Sequence, residues 1–339
     1  MLWIRFYALS NKQCRKGTVF KMKVPFFSIL VPVCNQEGNM SVCVDSLKNQ
    51  TFQDFEVIMV DDGSKDNSYN EMKAIAQDDS RFQVYQHETN QSLLAARYTG
   101  MQHANGDYIL FLDSDDYYEL DTLESLQKQL VENPVDVLRF GFQYEPGDKW
   151  YAPESEDPLN DTFLGKIPPA IWKNCYSKSV IEMTIKRSES FYCNMGEDVC
   201  LSAILLSNAA SFAKTDRIFH HYVLGNGMSN DHKIISREKF LKDMKSVTES
   251  ANHFMRFMEE YNTSYLPQAQ IAKRTMLRFT LFNCLFFSKD LATAVSFLNE
   301  INSEEFKDLY EFGCNQVLSA RVKKENGIEV DLRRMIVED

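Results

Sequence analysis

Three carboxylates, Asp113, Asp115 and Asp116, stand within four residues around Ser114. They follow directly on the apolar run Tyr108-Ile109-Leu110-Phe111-Leu112. Like charges this close repel, and they stay ionised together only beside a counter-charge. A hard divalent cation with oxygen ligands, Mg2+ or Mn2+, is the natural one. Read alone, the same stretch is equally an acidic loop that stops a strand. A second acidic pair, Asp61-Asp62-Gly63-Ser64, closes the apolar run Phe55 to Val60. A third, Glu197-Asp198, follows Gly196 at the start of a helical pattern from Val199 to Leu206. There the helix dipole favours an anion and would keep Asp198 ionised. A carboxylate kept free of metal can take a proton from an attacking hydroxyl, a contribution of about 10²–10⁴-fold in rate.

The elements around these clusters explain why they belong together. Phe26 to Val33 reads as a buried strand with Pro32 near its end. The polar turn Cys34-Asn35-Gln36-Glu37-Gly38-Asn39 follows, then a helix with Met40, Val44 and Leu47 at helical spacing. Further strands are expected at Phe55 to Val60, Gln83 to Tyr85 and Tyr108 to Leu112, with helices at Glu71 to Gln77 and Leu93 to Ala104. This alternation predicts an α/β fold whose mostly parallel sheet is covered on both faces. Open sheets of this kind bind ligands beyond the carboxyl ends of their strands, where two of the acidic clusters fall. Val135 to Tyr144 reads as another strand, Glu145 to Pro169 as a long loop, and Ile171 to Tyr176 as renewed order. Beyond about Lys239 the spacing turns helical, with Phe240, Met244, Val247, Ala251, Phe254 and Met258, then Met276, Phe279, Phe282 and Phe286. The expected division is a weakly ordered leader over 1–22, an α/β domain over 23–230 joined near Gly225-Asn226-Gly227, and a helical region over 231–339.

Composition narrows the function. The chain has 339 residues and a net charge of -11. That excludes a general nucleic-acid binder, which carries a basic surplus. Its eight cysteines form no Cys-x-x-Cys pair, which suits reduced thiols in a cytoplasm. No apolar run is long enough to span a bilayer. The first residues make a poor signal peptide, and Met22 is an alternative start. Lys273, Arg274 and Arg278 among Leu277, Phe279, Leu281 and Phe282 read as a core-facing helix, with peripheral membrane contact as the alternative.

Four stretches in fixed order carry a resemblance: Ser28 to Asn35; Val60 to Asp66; Ala95-Ala96-Arg97 through Gly106-Asp107-Tyr108-Ile109 to Asp116; and Gly196-Glu197-Asp198. Over about Val24 to Ser229 the chain resembles the inverting family 2 glycosyltransferases of the GT-A fold. The resemblance implies a sheet flanked by helices and transfer of a sugar from a nucleotide-sugar donor, a UDP-sugar first, to a saccharide or lipid-linked saccharide. It implies Mn2+ or Mg2+ as cofactor. It also implies surface-polysaccharide assembly at the cytoplasmic face of a bacterial plasma membrane.

By position, Pro32 to Glu37, with Asn35, match the loop cupping the base, and Asp62 the carboxylate that accepts from uracil. Arg97 matches the cation near the diphosphate. Asp113 and Ser114 match donor contacts, Asp115 the metal ligand and Asp198 the general base. Departures are Cys34 where the family has an aromatic, Ser92 and Leu94 where it has glycine and serine, and Tyr98 for asparagine. Phe219-His220-His221-Tyr222 stands in place of a Tyr- and Arg-bearing stretch. His220 and His221 read first as packing residues, although imidazole also binds manganese. Trp172 reads first as core, with acceptor stacking second. A nucleotidyltransferase would want a glycine-rich basic loop after the first strand, which Cys34 to Gly38 lacks. A non-catalytic carbohydrate-binding protein would have no need of the aspartates.

Overall fold

The computed structural model describes residues 24–147, 150–151, 155–166, 169–193, 195–224, 234–301, 303 and 306–326. The expected leader over 1–22 and the junction Gly225-Asn226-Gly227 lie outside them.

Strands β1 (Phe27–Val33) and β2 (Phe55–Asp61) are buried from end to end, because each has strands on both edges and helices over both faces. They pair in parallel, with β3 (Phe82–Gln86) outside β2 and β4 (Tyr108–Phe111) on the other side of β1. Helices α1 (Ser41–Lys48), α2 (Ser68–Asp78) and α3 (Leu93–His103) connect them. Pro32 is tolerated within β1 for a specific reason. Leu30 gives its carbonyl to Leu112 N at 3.0 Å, and Pro32, two residues on, faces the same way. The β1–β4 ladder has ended by then, at Leu30 opposite Phe111, so the missing N–H breaks no ladder bond.

Beyond β4 the sheet is mixed. It continues through β5 (Tyr117–Tyr118), β6 (Val137–Glu145), β7 (Trp150–Tyr151), β8 (Asn174–Ser177) and β9 (Phe212–Val223). Strand β8 runs antiparallel to β4 and β6, and β9 runs parallel to β6 and antiparallel to β5. Among the described residues the order is β3-β2-β1-β4-β8-β6-β9-β5, with β7 on β6. Helices α4 (Thr122–Glu132), α5 (Pro158–Phe163), α6 (Lys178–Arg187) and α7 (Glu197–Ser207) cover this half. The α/β fold expected from the alternation is thus present, with its parallel half at the first four strands.

Two local expectations change. The stretch from Glu145 to Pro169, read as a loop, contains β7 and α5; Asp157 caps α5 by accepting Asn160 N at 3.0 Å, with Pro158 opening the helix. Strand β9 escapes a sequence reading because its first seven residues are exposed or half-buried. It is held by pairing, not by apolar content.

The helical region comprises α8 (Arg237–Tyr261), α9 (Leu266–Phe286), α10 (Leu291–Glu300), α11 (Lys307–Phe312) and α12 (Ser319–Glu325). The expected stripe on α8, from Phe240 to Met258, is buried. On α9, Met276, Phe282 and Phe286 are buried but Phe279 is 49% exposed. One apolar cluster runs from Leu30, Ile58 and Phe111 through Leu201 and Leu205 of α7 to Phe254 and Leu285. The helices and the sheet therefore share a core, with α7 between them. A second cluster, with Ile29, Leu47 and Leu126, fills the other face. No helix among the described residues is long and apolar enough to cross a membrane.

At the amino end of the strands, Glu56 is buried and accepts from Ser28 Oγ (2.6 Å), Asn105 N (2.7 Å) and Gln83 Nε2 (2.8 Å). Gly106 donates its N–H to Ser28 Oγ at 2.8 Å. A Cβ on Gly106 would lie 2.6 Å from Phe27 C and Ser28 N, backbone atoms that cannot swing aside. Gly106→Ala is expected to cost about 1–3 kcal/mol through overpacking. An unchanged urea midpoint would show that β1 can yield there.

Candidate active site

The parallel strands deliver their residues to one rim. Asp62 N bonds Val33 O at 2.8 Å as β2 ends, and Leu112 N bonds Leu30 O as β4 ends. A tight turn follows β4, closed by Asp116 N on Asp113 O at 3.1 Å. Asp113 and Asp115 are half-exposed while Ser114 and Asp116 are buried. The turn therefore splits its acids, two toward the rim and one inward.

The inward acid is structural. Asp116 Oδ1 accepts Val223 N at 2.8 Å, and Oδ2 lies 2.9 Å from His220 Nε2. This ties the turn to β9. Burial pushes the Asp116 carboxyl up to about 8 and the His220 imidazole down to about 3, so the histidine is neutral. Its other nitrogen, Nδ1, is buried without a partner, and its ring stacks on Trp172 at 4.2 Å. His221 differs: both ring nitrogens are engaged, by Glu145 at 3.0 Å and Glu119 at 2.8 Å, and its ring stacks on Tyr117. Asp115 is raised to about 6, chiefly by burial and then by Asp116 and Asp113.

Arg97, on α3, is 2% exposed. Its Nη2 donates to Asp113 Oδ1 at 3.2 Å and its Nη1 to Asp198 Oδ1 at 2.7 Å, with Glu197 Oε1 4.0 Å from Nη1. It bridges the acidic turn and the start of α7. Nε is left buried without a partner. Burial raises the Glu197 carboxyl to about 7, with Asp198 adding and Arg97 opposing. Asp198 is also raised by burial, against Arg97. The helix start alone therefore does not fix its charge; Arg97 is the main influence holding the proton off. Gly196 caps α7 at φ +79°, and a Cβ there would meet Met276 Cε at 2.5 Å. Behind these acids lies Lys173, 6% exposed, lowered to about 7 by burial and Arg139 and partly restored by Asp198.

The loops that follow β1 and β2 clasp each other. Asn35 N donates to Ser64 Oγ (2.9 Å), and Asn35 Oδ1 accepts Lys65 N (2.9 Å). Glu37 Oε2 accepts Asn67 N (3.1 Å), while Glu37 N donates to Asp66 (3.1 Å). Gln36 N goes to Ser68 Oγ (2.7 Å), and Gly38 N to the Glu71 carboxylate. The side chains of Asn35 and Glu37 thus shape the loops, and Pro32 is buried in β1. Asp62, 2% exposed, accepts Gln91 N (2.8 Å) and Ser92 N (2.9 Å) and contacts His87 Nδ1 (2.8 Å). Three of a carboxylate's roughly four acceptor positions are then in use. Ser92 has φ +91° and ψ 158°, a glycine region that costs other residues about 1–3 kcal/mol.

Of the residues singled out in the sequence, Arg97, Asp113 and Asp198 meet directly, with Ser114 and Asp115 in the adjoining turn. Pro32, Asn35, Glu37 and Asp62 form the neighbouring loops. Asp116 and Glu197, marked in the sequence only as members of acidic clusters, gain particular partners here, and Lys173 and the Asp116–His220 pairing are the additions. Neither addition had a local signal.

Residues 28–184 match the family model described as glycosyl transferase family 2. The uncharacterized glycosyltransferase EpsJ of Bacillus subtilis is 37% identical over 208 residues, 58% of each chain. The putative glycosyltransferase EpsH of the same organism is 33% identical over 171 residues, 48% of this chain and 49% of its own. The chain thus spans about half the length of these curated relatives. Among solved structures, S. aureus TarS 1–349 in complex with UDP-GlcNAc superposes with a TM-score of 0.56 at 18% identity, covering 90% of this chain and 93% of its own.

Replacing Arg97 by methionine leaves Asp113, Glu197 and Asp198 without their shared cation. Breaking a fully buried pair costs about 3–5 kcal/mol, and because Asp113 and Asp198 are 26% and 36% exposed the loss should fall below that range. The loss should grow with pH. Glu197 already has a folded pKa above its unfolded one, so its stability contribution is complete below about 4.5 and disappears as pH passes 7. Without Arg97 the carboxyls rise further and the fall steepens. Chemical denaturation at pH 5 and pH 8 checks this; equal penalties at both would contradict the charge assignment.

Proposed function

We propose that this chain, a member of glycosyl transferase family 2 through residues 28–184, moves a sugar from a UDP-sugar to a hydroxyl of a saccharide or lipid-linked saccharide. The transfer is a metal-dependent single displacement with inversion. The observation that carries the reading is the convergence of Asp113, Asp115, Arg97, Glu197 and Asp198 on one rim of the sheet.

Asp198 is the base. Arg97 engages Oδ1, which leaves Oδ2 for the proton of the acceptor hydroxyl. As that oxygen bonds the anomeric carbon, the bond from this carbon to the diphosphate breaks, and the electron pair leaves with the nucleotide. A single displacement inverts the centre. The raised Asp198 carboxyl is the better base for it, since proton transfer is most effective when the pKa nears the working pH. Arg97 holds base and acidic turn in register and supplies positive charge at the diphosphate side.

The residues at the turn suit a divalent cation. Asp115 is raised by burial and then by its acidic neighbours Asp116 and Asp113, the situation of a carboxylate short of a counter-charge. His220 gives Nε2 to Asp116 and keeps Nδ1 unpartnered, the carboxylate–histidine arrangement common beside metals. Among the described residues no three His, Cys, Asp or Glu form a cage, so Mg2+ or Mn2+ would need further ligands from diphosphate and water. Asp115 and His220 would hold it, and bound there it would neutralise charge growing on the departing diphosphate. Asp113 and Ser114 face the donor. Pro32, Asn35 and Glu37 set the shape of the base pocket, and the fourth acceptor position of Asp62 takes the uracil N–H. TarS, which shares the fold, binds UDP-GlcNAc, and that supports trying UDP-sugars first. With a lipid-linked acceptor the protein would work as a peripheral protein at the inner face of the plasma membrane.

A panel of UDP-sugars, GDP-mannose and TDP-sugars, read by thermal shift with Mn2+ and with EDTA, tests donor and metal together. A metal-dependent shift with UDP-sugars is expected, and no shift with any donor would overturn the reading. Asp115→Asn should abolish most of the metal-dependent part while the fold persists. Asp198→Asn should bind donor and metal nearly as wild type, while transfer falls by about 10²-fold or more. If turnover survives in that variant, Asp198 is a helix-start charge and the base lies elsewhere.

A further inference from the structure

The strained backbone at Ser92 has no local explanation. Its N–H donates to Asp62 Oδ2 at 2.9 Å and its carbonyl accepts Ala96 N at 3.1 Å. Glycine would make both bonds without the strain that φ +91° imposes on a residue with a Cβ. What glycine lacks is the hydroxyl, and Ser92 Oγ accepts the N–H of Cys193 at 3.1 Å across 101 residues. Both residues are buried, Ser92 at 1% and Cys193 at 0% exposure. Cys193 begins the segment that delivers Glu197 and Asp198. From the other side, α8 holds the same segment with two serines one turn apart. Ser246 Oγ accepts Met195 N at 3.1 Å, and Ser250 Oγ donates to Gly196 O at 2.9 Å. Three serine hydroxyls thus locate the segment, and Ser92 is the one that belongs to the loop clamped by Asp62.

We infer that Ser92 is a positioning residue for the reaction: its hydroxyl fixes the Glu197–Asp198 segment against the loop before α3 that Asp62 clamps. The strain is tolerated because Asp62, Ala96 and Cys193 over-determine the conformation. The inference rests on Asp198 being the base, as proposed above, and its test has one arm that does not need turnover.

Ser92→Gly removes hydroxyl and strain together; Ser92→Ala removes the hydroxyl and keeps the strain. In the full-length protein without ligand, amide hydrogen exchange over 193–198 should speed up by about tenfold in both variants, the scale of one lost buried hydrogen bond. Exchange in Leu201 to Leu206 should stay unchanged. Ser92→Gly should melt no lower than wild type, and Ser92→Ala should melt lower. With donor and acceptor in hand, kcat should fall by about tenfold in both while the donor KM moves less than about twofold. Wild-type exchange over 193–198 in Ser92→Gly overturns the inference, as does faster exchange with an unchanged kcat. If the wild type transfers no sugar, the proposed reaction fails, and the exchange arm still decides whether Ser92 holds the segment.

Discussion

A guanidinium almost without access to water sits where two separate parts of the chain must meet. Arg97 comes from α3, Asp113 from the turn after β4, and Asp198 from the head of α7. Burying a cation is costly unless anions with good geometry accompany it. The acids have the converse problem, since Asp113, Glu197 and Asp198 would repel without it. Neither side is stable alone, so the turn and the helix start are located by the charge they share. Arg97 can lie so deep because α3 is buried around most of its circumference, with Leu94, Ala95, Ala96, Tyr98, Gly100 and Met101 all packed. The helix is a core element that carries one buried charge near its middle.

The parts of this site visible in the sequence were those written in short stretches. A strand followed by carboxylates is a local pattern, shown by Asp61 to Ser64 and Asp113 to Asp116, and acids at a helix start, Glu197-Asp198, are another. The alternation of strand and helix through Tyr108 to Leu112 is equally local. Contacts between distant residues were not visible. Nothing near Asp62 says that His87, Gln91 and Ser92 would occupy its oxygens, and nothing near His220 says that one nitrogen would be given to Asp116. Strand β9 was hidden because its register with β6 and β5, not its own apolarity, makes it a strand. Read locally, the helix start keeps Asp198 ionised; in the fold, burial raises its carboxyl and a guanidinium 101 residues away opposes that rise.

The helical region participates in the site through packing. Met276 of α9 lies against Gly196, where its terminal methyl would have to swing aside for a Cβ, and α8 reaches the same segment through Ser246 and Ser250. What selects glycine at this position is its left-handed backbone, φ +79°. With α7 inserted between sheet and helices, a shift of α8 moves the acids at its amino end.

The mutual clasp of the loops 34–38 and 64–71 has a consequence for how the sequence can change. Each loop satisfies backbone N–H groups of the other: Asn35 takes Lys65, Glu37 takes Asn67, and in return Ser64, Asp66, Ser68 and Glu71 take Asn35, Glu37, Gln36 and Gly38. A substitution in one loop takes an acceptor away from an amide of the other, about thirty positions away along the chain. The two segments therefore work as a matched pair, and a graft that exchanges one of these loops must bring its counterpart with it.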